Sequence, residues 1–87
     1  MQKLINIAAD FMPCRVRAFV IAGAADLNTM PLPKTIDERV ALSIGKFLRA
    51  VETKDENRAK LYGKEVYYLG YGDVLAIILK EAQHGCN

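Results

Sequence analysis

The sequence predicts a mainly α protein, a compact bundle of four or five short helices. Three observations carry that expectation. Apolar residues recur at three- and four-residue spacing through most of the chain. Helix-start signals of the form Thr-x-x-Glu stand at Thr35–Glu38 and again at Thr53–Glu56. A proline-bearing stretch, NTMPLPK at 28–34, separates two helical halves as a linker. One alternative stays open, a small two-stranded β element made from 14–21 and 64–69.

Residues 2–11 place Leu4, Ala8 and Phe11 on one helical face, widened by Ile5 and Ile7, so a short amphipathic helix is expected. Pro13 ends it, because Met12 before the proline is driven from helical geometry while Pro13 suits the first position of a new helix. A helix from 13 to about 27 would stack Val16, Phe19, Val20, Gly23 and Leu27 in one largely buried stripe. The rival here is a strand, since Cys14 to Ala18 alternates in polarity and Phe19-Val20-Ile21 has β character. In a strand Arg15 and Arg17 would point the same way, whereas in a helix they lie roughly 200° apart. Two arginines in a first turn oppose the helix dipole, but Ala22, Gly23, Ala24 and Ala25 favour the helix.

Thr35-Ile-Asp-Glu38 reads as a capping box, the threonine hydroxyl accepting from the Glu38 amide and the glutamate reaching back to the Thr35 amide. The helix that follows carries Ile36, Val40, Ile44, Phe47, Leu48 and Val51 on its apolar face. Gly45 lies inside that pattern, so it is expected to let a neighbouring helix approach closely. Thr53-Lys-Asp-Glu56 repeats the box where the stripe stops, and the two copies read as helix punctuation instead of a functional repeat. Gly63 is the expected C-cap of the second helix. Residues 64–72 suit a short strand or loop with Gly70-Tyr71-Gly72 as a tight turn. Asp73 then caps a last helix, apolar on every side from Val74 to Leu79. Such a helix belongs at the centre of a fold or in a subunit interface, and Val74, Leu75 and Ile78 are its candidate interface residues. The tail 84–87 is expected to fray.

Eighty-seven residues form one domain, 1–87, and 52% hydrophobic with 25% charged residues is a globular composition. The net charge is +2, with four basic and two acidic residues in 1–34 and eight of each in 35–87, which is no electrostatic footprint for nucleic acid. Cys14 and Cys86 are too few for a disulfide framework, so a reducing, cytoplasmic setting is expected. The opening MQKLINIAADFMP is too polar for a signal peptide, and no apolar run reaches the ~18 residues of a membrane span.

Catalytic equipment is thin. The one serine, Ser43, and the one histidine, His84, stand far apart, the latter in the tail, so no enzyme activity is expected. Cys14, Cys86 and His84 lack metal-ligand spacing, so neither metal nor cofactor is expected, and Cys14 reads as a buried thiol. The pairs Asp37/Glu38 and Asp55/Glu56 sit in helix first turns, where negative charge complements the dipole. Gly70-Tyr71-Gly72 falls short of a phosphate-binding loop.

All four tyrosines, Tyr62, Tyr67, Tyr68 and Tyr71, fall within ten residues and interleave with Lys60 and Lys64. Tyrosine supplies large, rather rigid contact area with a polar tip, so these six residues form the expected partner-binding face. The function expected is that of a non-catalytic, cytoplasmic protein-binding regulator or inhibitor that occupies a surface of a larger protein partner, and is itself a homodimer. The alternative is a small DNA- or RNA-binding regulator using Arg39, Lys46, Arg49, Lys54, Arg58 and Lys60.

Overall fold

The structure is a computed structural model that describes residues 2–10, 12, 14–25 and 32–84. It is mainly helical and compact. Helix α1 spans Gln2–Asp10; a 3-10 turn, Cys14–Val16, leads into α2, Arg17–Ala25; α3 spans Ile36–Glu52, α4 Glu56–Val66 and α5 Gly72–His84. A wide π-type turn, Tyr67–Tyr71, joins α4 to α5. The expected residues Phe11, Pro13 and Leu27, most of the 28–34 linker and tail residues 85–87 lie outside the described residues.

The β alternative is overturned: no strand forms among the described residues, and 64–69 belong to the end of α4 and the wide turn. The packing of α2 supplies the reason. It crosses α3 at Gly23 and Gly45, where the two helices meet backbone to backbone. Arg15 and Arg17 diverge as helical residues should, Arg15 pairing with Asp37 at 3.0 Å and Arg17 donating to Asn6 Oδ1 at 2.8 Å. These partners offset the unfavourable placing of two cations at a helix start. Cys14 is exposed, which corrects its expected burial.

The core gathers Ile5, Ala8, Val16, Val20, Val40, Ile44, Phe47, Leu48, Val66 and Ile78. In α3 the expected apolar face holds except at Ile36, which stands at the first helical position and is 65% exposed. In α5 Val74 and Ile78 turn into this core and Leu75 is half-buried, so the first two are not free to form an interface. Among the described side chains of α5, the large apolar ones exposed to the outside are Ile77 and Leu79.

The first capping box is present with one change. Thr35 Oγ1 accepts from the Glu38 amide at 3.2 Å, while the Glu38 carboxylate accepts from the Lys34 amide at 3.1 Å, one residue earlier than expected. The second box is different. Thr53 closes α3 instead of opening α4: its hydroxyl donates to the Arg49 carbonyl at 3.0 Å. The amides of Lys54 and Asp55 bond back to Val51 and Ala50, the reciprocal pattern of a Schellman motif. Lys54 occupies the left-handed position, φ 58°, that glycine usually takes. Asp55 is the N-cap of α4 and accepts from the Arg58 amide at 3.2 Å. A single residue therefore ends one helix through its amide and starts the next through its carboxylate.

Gly63 is no C-cap. It lies within α4, and a Cβ there would sit 3.4 Å from Cε1 of Phe47, so it is a packing position. The left-handed glycine is Gly70, φ 93°, in the turn before α5.

Candidate functional site

The helical register of α4 decides which of the clustered side chains reach solvent together. At 100° per residue, Asn57, Lys60, Leu61, Lys64, Tyr67 and Tyr68 fall within about 120° of one another, and all six are exposed. Across the helix Val66 is buried and Ala59, Tyr62 and Gly63 are half-buried against the core. The outer face thus combines two lysines with three large apolar or aromatic side chains, Leu61 at 61%, Tyr67 at 66% and Tyr68 at 80% exposure.

Local packing holds the two exposed rings. Tyr67 and Tyr68 meet edge to face, centroids 5.7 Å apart and planes at 78°. Tyr67 also lies across the start of α5, where a Cβ on Gly72 would come within 2.7 Å of its Cδ2. That ring is seated on bare backbone, which keeps its position without burying it.

The other two expected tyrosines do not join this face. Tyr62 turns toward α3, and Lys46 Nζ stands 5.5 Å from its ring centroid, a cation–π distance. Tyr71, half-buried, donates its hydroxyl proton to Asp37 Oδ1 at 3.1 Å. Asp37 bridges it to Arg15, which ties the turn before α5 to the start of α3 and to the chain entering α2. The hydrogen bond to Asp37 is the main cause of a phenol pKa raised above the ordinary 10.0, followed by desolvation and the negative charge of Asp37.

Leu61 was missed as a site residue by sequence reasoning, although continuing the register of Lys60 and Lys64 brings it onto the same side. Of the basic residues expected to serve nucleic acid, Arg39 is paired with Glu65 at 3.1 Å and Arg58 with Asp55 at 3.5 Å. Lys46, Arg49 and Arg58 line one recess between α3 and α4, while Lys54 and Lys60 are exposed elsewhere. Ser43 is buried in the middle of α3, away from solvent. No helix among the described residues is long and apolar enough to cross a membrane.

No family model, no curated protein and no solved structure matches this chain.

Proposed function

We propose that the chain is a small, non-catalytic protein-binding regulator or inhibitor that works by laying the outer face of α4 on a larger protein. One observation carries this reading: Leu61, Tyr67 and Tyr68 are exposed along one side of the molecule, with Lys60 and Lys64 among them. A cluster of large exposed apolar groups is uncommon on a protein that works alone in water. Aromatic anchors ringed by charge are the composition of binding hot spots. The partner that suits it has an apolar groove two to three helical turns long with carboxylates along its rim. A cytoplasmic setting and self-association through the exposed Ile77 and Leu79 of α5 belong to the same proposal.

Nucleic-acid binding is the lesser reading. A carboxylate holds Arg39, and Glu52, Asp55 and Glu56 interrupt the basic surface. The experiment is comparative capture from native extract with folded wild type, Tyr68→Ala and Leu61→Ala. A protein retained by wild type and lost with both variants supports the proposal; identical capture by all three contradicts it.

A further inference from the structure

On the side of α4 turned toward α3, a recess of about 160 Å³ is lined by Lys46, Arg49, Thr53, Arg58, Tyr62 and the bare backbone of Gly23. Its charge is one-sided: three cations and no carboxylate are among the lining residues. Lys46 and Arg49 lie three apart on α3 with its closing residue Thr53 beyond them, and Arg58 and Tyr62 are one turn apart on α4, so two helices supply the cations. We infer that this recess binds a small oxyanion of the phosphate class, either inorganic phosphate or the phosphoryl end of a small metabolite.

Three features support that ligand. Arg49 has no carboxylate partner among the described residues, and its guanidinium keeps its five donors. Arg58 meets Asp55 through Nε at 3.5 Å, a long and largely exposed pairing for which an oxyanion can compete. Lys46 rests over the Tyr62 ring, so its charge is held near the recess. The last-turn carbonyls of α3 at Arg49, Ala50 and Val51 accept bonds from Thr53, Lys54 and Asp55, which limits their repulsion of an anion.

Size and shape favour a compact anion over a nucleic-acid backbone. The volume is below the several hundred Å³ of pockets for drug-sized ligands. The three cations also line a single recess instead of a long groove.

The test is an amide NMR titration of the intact chain with inorganic phosphate, ionic strength held constant with chloride. The expected result is saturable shifts at Gly23, Lys46, Arg49, Arg58 and Tyr62, with affinity weakened about tenfold by Arg49→Gln and by Lys46→Gln, the loss of one charge-assisted bond each. Lys60→Gln and Lys64→Gln, on the opposite side of α4, should leave it unchanged. Shifts that never saturate, or equal affinities for Arg49→Gln and Lys60→Gln, overturn the site and leave these cations as solvated partners of the α3 C-terminus. A parallel titration with a short single-stranded oligonucleotide separates the sources. Should it saturate the same amides at a hundredth of the phosphate concentration or less, the recess is a backbone contact and the small-anion assignment is wrong.

Discussion

Gly23 and Gly45 are in direct backbone contact: a Cβ on Gly23 would lie 3.1 Å from the Gly45 Cα and 2.9 Å from the Lys46 nitrogen. A Cβ on Gly45 would in turn fall 2.8 Å from the Ala24 nitrogen and closer still to the Val20 carbonyl oxygen. Each glycine therefore turns a Cα hydrogen toward a carbonyl of the other helix, a contact that contributes about 0.5–1 kcal/mol. The obstacles are backbone atoms, so no rotamer change can relieve a clash. Gly23→Ala and Gly45→Ala are each expected to lower stability by about 3 kcal/mol, in spite of the ~1 kcal/mol by which alanine favours a helix. Urea unfolding measures this; a stability gain in either variant would show that the helices do not meet there.

The two threonines of the repeated box have different tasks, so their alanine variants should separate. Thr35→Ala removes an N-cap and is expected to cost ~1 kcal/mol, as is Asp55→Ala, whereas Thr53→Ala should cost less than either. Lys54→Gly, at φ 58°, is expected to stabilise by about 0.5–1 kcal/mol through relief of the left-handed strain. Thermal unfolding of the four variants checks the order.

Tyr71 should make stability fall at alkaline pH. Its folded pKa is raised, so its favourable contribution is complete below the unfolded value near 10.0 and is lost as pH rises through the folded value. Tyr71→Phe is expected to cost ~1 kcal/mol at neutral pH by removing the bond to Asp37, and to flatten the stability curve above pH 10. Urea midpoints of both proteins between pH 8 and 11 give the comparison.

Self-association is expected to run through α5. Ile77 and Leu79 remain 37% and 42% exposed on a helix whose Val74 and Ile78 already fill the core. Light scattering should give a mass of two chains for wild type and a shift toward one 9.7 kDa chain for Ile77→Lys. A wild-type mass of one chain from micromolar concentration upward would contradict this.

Much of the fold was legible because the sequence states it redundantly. The Thr35 cap and the apolar period of α3 agree, and Gly45 could be read as a close approach because that period runs straight through it. Thr53 was misread because Thr-x-x-Glu fits a helix start, yet the same hydroxyl can turn back to the preceding turn, and Asp55 two residues on caps as well. The residue that settles the choice is Lys54, whose left-handed backbone carries no sequence signal because it is not glycine. Gly63 was misassigned for a related reason, since a glycine does not reveal whether its freedom or its lack of a side chain is used, whereas Gly70 does stand in a turn. The tyrosines were found as a group but not as a face. Proximity in sequence brought all four forward, while helical register sends Tyr62 inward and the turn at Gly70 sends Tyr71 to Asp37.

The binding role of the α4 face is tested most directly by photo-crosslinking from position 68 in native extract. A photoreactive phenylalanine analogue replaces Tyr68 in one preparation and the exposed Arg17 in another, which lies on a different helix. One dominant protein adduct is expected from position 68, absent from position 17 and abolished by adding Leu61→Ala, because a hot-spot residue contributes about 2 kcal/mol or more, some 30-fold in affinity. No adduct from position 68, or the same adducts from both positions, would contradict it.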